Sequence, residues 1–207
     1  MGFNEVPNET AKQSDSVQSK DADLNRFLEE LMTPAKTPGK GPNASIGQVE
    51  SMTLPDGWQA GPVEKPYGGA SFYQEYNPQG NSDTKITFFY RGKRISEDGG
   101  KNFHEILQKP AHVLSPQEFN SLAEVLRDKA KAQDFDTVMA KTEDLNGKRV
   151  LIVEGRYKDL QEDNRSVLID ADGSGTAVQE IYYQAPKAQF IRNYKQAILS
   201  MKSINWK

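Results

Sequence analysis

Hydrophobic and polar positions form their clearest pattern toward the end of the chain. Residues 166–169 are a short apolar run, and residues 176–183 are a second run, richer in β-branched and aromatic side chains. The Asp/Gly/Ser cluster at residues 170–175 separates them, which is typical of a β-hairpin turn. Apolar side chains fall on both faces of the second run, so this pattern predicts an inner strand.

The pattern then changes to helical spacing. Pro186 can begin a helix because its missing N–H has no helical partner to lose. The apolar residues that follow at helical spacing are Phe190, Tyr194, Ala197, Ile198, Met201 and Ile204. A stripe this wide is typical of a helix whose apolar side faces a core. The sequence therefore predicts a terminal helix lying on one face of the preceding sheet.

Four further strands are predicted upstream, as two hairpins. Residues 71–76 and 85–91 form the first pair, and residues 135–142 and 149–157 form the second. The second pair is joined through Asn146-Gly147, a dipeptide favoured in tight hairpin turns. Residues 158–164 are then expected to be a charged turn.

Two helical segments lie between these hairpins. Ser115, Pro116 and Glu118 form a capping-box start, which predicts a helix with apolar positions as far as Ala130. Residues 92–101 are expected to be a polar loop, followed by a short helical turn at 103–108. Strands, helix, strands and helix in this order predict an α+β fold, an antiparallel sheet with helices packed on it in an α/β/α sandwich.

The first 48 residues are expected to be a flexible tail, and residues 49–207 a single α+β domain. Residues 1–20 are almost devoid of apolar side chains and are predicted to be disordered. Residues 33–48 contain several Pro and Gly and are predicted to be a linker. Between them, residues 21–32 are predicted to form a short amphipathic helix. Its apolar stripe consists of Leu24, Phe27, Leu28, Leu31 and Met32. This helix could dock on its own domain or in the groove of a protein partner.

Composition excludes several classes of function. The chain has 207 residues, no cysteine, a formal net charge of −3 and a pI of about 5.5. An acidic balance argues against nucleic-acid binding, and the lack of cysteine excludes disulfides and thiolate chemistry. No apolar run is long enough to span a membrane, and no signal peptide is visible. We expect a monomer, cytoplasmic if the chain is complete, and from the cell envelope or a lumen if an export signal was removed.

Candidate catalytic and metal motifs fail on inspection. Asp170, Asp172 and Ser174 resemble the first half of a calcium loop, but position twelve is Ile181 rather than glutamate. Plain turn chemistry explains the same residues, so no metal site is favoured. His104 lacks the second histidine of a zinc-protease motif, and the phosphate-loop pattern is incomplete. The sequence predicts no catalytic residue and no cofactor.

A cluster of basic residues is the other candidate for contact with a partner. Arg91, Lys93, Arg94 and Lys101 lie in or beside the predicted loop at residues 92–101. They are either solvated or part of a patch for an anionic partner or ligand.

Three stretches resemble the PsbP-like superfamily, also called Mog/PsbP, which includes the DcrB-like lipoproteins. They are Met52-Thr-Leu-Pro-Asp-Gly-Trp58, Gly147-Lys-Arg-Val-Leu-Ile-Val153, and Glu180-Ile-Tyr-Tyr-Gln-Ala-Pro186 with the helix that follows it. The resemblance implies an α/β/α sandwich without catalytic residues. It also implies a non-catalytic accessory or binding role. Unlike the envelope and lumenal members, this sequence shows no visible export signal or lipid-anchor cysteine, which leaves its compartment open.

From the sequence we therefore expect a bacterial, non-enzymatic protein-interaction or assembly domain. Its partner is expected to be another protein. The alternative is a calcium-binding or small-ligand-binding protein that uses the turn at 170–176 or a pocket between sheet and helix.

Overall fold

The computed structural model describes residues 41, 43–66, 71–91 and 94–207. The predicted disordered segment, the helix at 21–32 and Lys93 lie outside the described residues. Within the described part of the chain the strands are β1 (Asn43–Ile46), β2 (Val49–Thr53), β3 (Trp58–Ala60), β4 (Phe72–Pro78), β5 (Lys85–Tyr90), β6 (Phe135–Leu145), β7 (Lys148–Tyr157), β8 (Glu162–Asp170), β9 (Val178–Pro186) and β10 (Asn205–Trp206). The helices are α1 (Glu97–Gln108), α2 (Pro116–Ser121), α3 (Ala123–Leu126), a 3₁₀ turn (Arg127–Ala130) and α4 (Lys187–Lys202).

Seven strands form the main sheet, in the order β3-β4-β5-β9-β8-β7-β6, and every neighbouring pair is antiparallel. β9 is an inner strand, as the apolar residues on both of its faces predict, and β7 is also an inner strand. The β6–β7 hairpin turns at Asn146 and Gly147, whose φ values are +50° and +84°. Two positive φ values in succession are the reason that Asn-Gly is favoured in such turns.

Helix α4 covers one face of this sheet. The ring of Tyr183 on β9 stacks on Phe190 of α4, with ring centroids 4.7 Å apart. The Tyr183 hydroxyl donates hydrogen bonds to the carbonyl oxygens of Gln189 and Phe190, both at 3.0 Å. Because neighbouring side chains on a strand point to opposite faces, Glu180 and Tyr182 lie on the other face.

A small sheet, in the order β1-β2-β10, packs beside the C-terminal end of α4. The hydroxyl of Ser203 accepts a hydrogen bond from the Thr53 backbone N–H at 2.8 Å. The side chain of Gln179 on β9 bonds to the backbone of Ile46 and Gln48. These long-range contacts attach the small sheet to the main sheet and to α4.

The opposite face of the main sheet is covered at its β6–β8 end by α1, α2, α3 and the 3₁₀ turn. Buried apolar side chains from these helices and strands form one core cluster. It consists of Phe103, Ile106, Leu107, Leu122, Val125, Leu126, Phe135, Ala140, Leu151, Val153, Leu168 and Val178. Helices therefore lie on both faces, and the predicted α+β architecture is confirmed.

The expected polar loop at residues 92–101 is wrong in its second half. Helix α1 begins at Glu97, with the Ser96 hydroxyl accepting a hydrogen bond from the Gly99 N–H at 3.1 Å. Two glycines weaken the helical pattern in the sequence. A methyl group on Gly100 would lie 2.5 Å from the Thr176 side chain, so glycine permits the close approach of α1 to the β8–β9 turn.

The helix predicted from Ser115 is correct at its start and wrong in its length. The capping box between Ser115 and Glu118 is present. The helix breaks at Leu122 into α2 and α3, and Arg127, the first residue of the 3₁₀ turn, adopts φ +57°. Apolar spacing alone did not reveal this break, because Leu122, Val125 and Leu126 remain buried after it.

Two boundaries also differ from the sequence prediction. Strand β1 lies within residues 33–48, which were expected to be linker, so ordered structure begins before Val49. Its pairing with β2 buries Ala44, a contact that the polar sequence around it did not indicate. The charged turn expected at 158–164 is shorter, because β8 already begins at Glu162 and pairs with Pro186.

Candidate functional site

The turn between β8 and β9 brings together the candidate metal residues. The Asp170 carboxylate accepts hydrogen bonds from the backbone N–H groups of Asp172 and Gly173, at 3.3 and 2.8 Å. The Asp172 carboxylate accepts bonds from the Ser174 N–H at 3.1 Å and the Thr176 hydroxyl at 3.0 Å. Both carboxylates therefore accept hydrogen bonds from groups of their own turn, as Asp side chains do in many turns.

Basic side chains lie close to both carboxylates. His104 on α1 places its Nδ1 atom 3.2 Å from Asp170, and Arg94 places a guanidinium nitrogen 3.5 Å from Asp172. Burial opposes ionisation of Asp172, but the hydrogen bonds from Ser174, Thr176 and Ala177 outweigh it and lower its pKa to about 2. Asp172 is therefore ionised at any ordinary pH, and Arg94 pairs with it at the protein surface.

Three of the four predicted basic residues lie in the described part of the chain, and their surroundings differ. Arg94 and Lys101 are largely exposed, and each lies beside an acidic side chain, Asp172 and Glu105 respectively. Arg91 has a different role, because its guanidinium donates to the carbonyl oxygens of Glu124 and Val125 at 2.9 and 2.5 Å. It fixes α3 on the sheet.

A buried ion pair lies on the sheet face opposite α4. The Lys129 ammonium donates hydrogen bonds to Glu180 at 2.8 Å and to the Tyr157 hydroxyl at 2.9 Å. The same Glu180 oxygen accepts a bond from the Ser166 hydroxyl at 2.7 Å. The two charged side chains are only 6% and 7% exposed. Each charge is thus matched by an opposite charge and by further hydrogen bonds.

The pKa of Glu180 is lowered and the pKa of Lys129 is raised in this pair. Burial alone would raise the pKa of Glu180, but Lys129, Arg91 and the Ser166 hydroxyl outweigh burial and lower it. Burial alone would lower the pKa of Lys129, but Glu180 and Tyr157 raise it. Both groups therefore remain charged near neutral pH, as in a structural ion pair.

A second buried cluster lies on the α4 face. Arg165 on β8 pairs with Glu154 on β7. The Tyr194 hydroxyl on α4 donates to the same Glu154 carboxylate at 2.6 Å and accepts from Arg165 at 3.2 Å. This cluster joins the helix to two inner strands through charge-assisted hydrogen bonds.

Within the described ranges, no group of three or more His, Asp and Glu side chains is arranged to hold a metal ion. In the same part of the chain, no helix is both long enough and apolar enough to cross a bilayer.

The fold has a recognisable counterpart among solved structures. A scan of protein families finds no match, and neither does a search of curated proteins. Solved structures do match, among them the solution structure of cyanobacterial PsbP (CyanoP) from Synechocystis sp. PCC 6803. That match has a TM-score of 0.50 and 10% sequence identity, and it covers 86% of this chain and 99% of CyanoP. The chain has a PsbP-like fold. The resemblance drawn from the sequence is confirmed as a resemblance of fold.

The sequence analysis did not identify the charged residues that form the two buried ion pairs of this PsbP-like fold. Lys129 and Glu180 are 51 positions apart, so no local spacing connects them. One signal was available: Glu180 is a single acidic residue within an inner strand that is otherwise mostly apolar. Such a residue needs a counter-charge from another element, because burying an isolated charge is very costly.

Proposed function

We propose that this chain is a non-catalytic protein-interaction or accessory domain. The observation that carries the proposal is the pairing of the buried charges. Lys129 with Glu180, and Arg165 with Glu154, each form a closed internal pair that joins separate elements of the fold. Such pairs stabilise the fold. The resemblance to PsbP-like proteins implies an accessory role and therefore supports the same proposal.

The proposed contact is the apolar stripe of the predicted helix at residues 21–32. Leu24, Phe27, Leu28, Leu31 and Met32 would lie in a hydrophobic groove of the partner. A helix of about a dozen residues is marginal alone, so burial against a partner would stabilise it.

Arg94 and Lys101, with Lys93, form the weaker alternative contact. Their acidic neighbours Asp172 and Glu105 already offset much of their charge. A partner surface would have to compete with these two carboxylates for the same basic side chains.

The structure indicates where the N-terminal tail can be cut without removing a strand. Deletion as far as residue 48 would remove β1 and the Gln48 carbonyl, which accepts a hydrogen bond from Lys207. Deletion of residues 1–40 keeps both. We expect the shortened protein to melt within a few degrees of the full chain, because none of the described strands or helices is lost.

The test compares capture of proteins from native cell extract by the full chain and by two matched triple variants. The stripe variant carries Leu24→Ser, Phe27→Ser and Leu31→Ser. The control carries Ala22→Ser, Asn25→Ser and Glu29→Ser on the other side of the same predicted helix. Loss of three buried apolar side chains should weaken capture by a factor of about ten or more, whereas the control should capture normally.

Thermal unfolding accompanies each capture experiment. If the stripe variant melts well below the control, the stripe belongs to the domain core and the proposed contact is wrong. Capture that is equal for the two triple variants would also contradict it.

A further inference from the structure

An open cleft lies on the face of the main sheet opposite α4, at the end that α1–α3 leave uncovered. Its volume is about 430 Å³, within the range of ordinary small-molecule sites. Its lining residues are Glu64, Pro66, Tyr73, Phe89, Arg127 and Tyr182.

The floor of the cleft is aromatic. Tyr73 on β4 is the direct cross-strand partner of Phe89 on β5, and Tyr182 lies on the adjoining strand β9. The Tyr73 hydroxyl donates to Glu75, which also pairs with Lys85 at 3.0 Å. The Tyr73 hydroxyl is thus engaged by Glu75. The three aromatic side chains come from three neighbouring strands and line the same cleft, where their rings offer apolar area to a planar group.

Arg127 stands at one end of this surface. Its guanidinium lies 5.8 Å from the centroid of the Phe89 ring. Among the described residues, no carboxylate lies within ion-pair distance of it. Its backbone has φ +57°, a conformation that side-chain-bearing residues rarely adopt. The break between α3 and the 3₁₀ turn thus places over the cleft a cation that has no carboxylate partner in the described part of the chain.

The surrounding charges favour an anion at that end. Arg91 interacts electrostatically with Arg127, Glu180 and Asp128, and Glu180 also pairs with Lys129, so this group holds three cations and two carboxylates. Burial lowers the pKa of Arg91, Glu180 opposes this effect, and the charge of Arg127 adds to it, so that the pKa is lowered overall. Glu64 lies among the other lining residues, so a ligand with negative charge at both ends would be disfavoured.

We propose that this cleft binds a small planar aromatic ligand that carries one anionic group. The ring system stacks on Tyr73, Phe89 and Tyr182, and the anion pairs with Arg127. Guanidinium groups bind carboxylate and sulfonate-like oxygens with two parallel hydrogen bonds, which fixes the orientation of the ligand. This site is distinct from the apolar stripe of the tail and does not depend on the proposed function.

The test uses two fluorescent probes that share one ring system. 1-Anilinonaphthalene-8-sulfonate carries an anionic group, and N-phenyl-1-naphthylamine is its neutral counterpart. We expect Arg127→Gln to raise the dissociation constant of the sulfonate by about tenfold and to change that of the neutral amine by less than about twofold. Phe89→Leu keeps an apolar side chain but removes the ring, and it should weaken both probes.

Arg94→Gln is the matched control, because it removes an exposed arginine away from the cleft. It should leave both dissociation constants unchanged. If Arg94→Gln and Arg127→Gln weaken the sulfonate equally, binding depends on net charge alone and the proposed site is wrong. An unchanged sulfonate affinity in Arg127→Gln, or unchanged affinity for both probes in Phe89→Leu, would overturn it as well.

Discussion

Replacing Lys129 by methionine is expected to lower the free energy of unfolding by about 3–5 kcal/mol near neutral pH. Methionine is similar in length and fills the space, so the loss arises from charge. Glu180 would remain almost fully buried with only the Ser166 hydroxyl and the more distant Arg91 to stabilise its negative charge. Urea unfolding of the full chain and the variant measures the difference.

The size of this loss should depend on pH. In the native protein the pKa of Glu180 is lowered, so its contribution is present above the ordinary value of 4.5 and is lost as pH falls through the folded pKa. Without Lys129, burial would raise the pKa of Glu180. The variant would then lose most stability at pH values where the Glu180 carboxyl of the unfolded chain is ionised. The difference between the two proteins should therefore shrink as pH falls from neutral toward 4.5.

A double-mutant cycle separates the pair from its surroundings. Glu180→Gln keeps a side-chain acceptor for Ser166 but removes the negative charge. Combined with Lys129→Met, it should cost clearly less than the sum of the two single changes, since neither charge then remains buried alone. Additive losses, with no dependence on pH, would show that the pair is not an important stabilising contact.

Replacing Phe103 by alanine is expected to destabilise the protein by about 3–5 kcal/mol. Phe103 is fully buried on α1 and belongs to the core cluster on the sheet face opposite α4. Removal of the ring would leave a cavity between α1 and β7. The neighbouring change Lys101→Ala removes a side chain that is 73% exposed and should alter stability by less than about 0.5 kcal/mol.

This comparison tests whether helices cover both faces of the sheet. The sequence placed only a short helical turn near Phe103, whereas the structure makes it part of a twelve-residue helix. Equal stability of the two variants, measured by chemical denaturation, would contradict the packing of α1.

The main sheet was predictable because its signals are local. Asn146-Gly147 specifies a hairpin, and the apolar residues on both faces of β9 specify an inner strand. The apolar stripe of α4, with Phe190 and Tyr194, predicts the face that the helix buries. In each case the residues that decide the structure are neighbours in the sequence.

The remaining features depend on contacts between distant residues. Gly100 looks like a helix breaker, and only its closeness to Thr176 explains its presence in α1. Strand β1 has only four residues, two of them apolar, and its attachment through Gln179 joins residues more than 130 positions apart. Neither the pairing of Lys129 with Glu180 nor the position of Arg127 over Phe89 can be inferred from spacing.

Capture of the partner by the charge-neutral variant Lys129→Met/Glu180→Gln tests the central claim most directly. If the buried charges serve the fold and the tail makes the contact, this variant, kept cool enough to remain folded, should capture within about twofold of the full chain. The serine variant of the stripe should then lose most capture in the same experiment. A folded double variant that captures nothing, beside a stripe variant that captures normally, would place the function in the sheet and contradict the proposal.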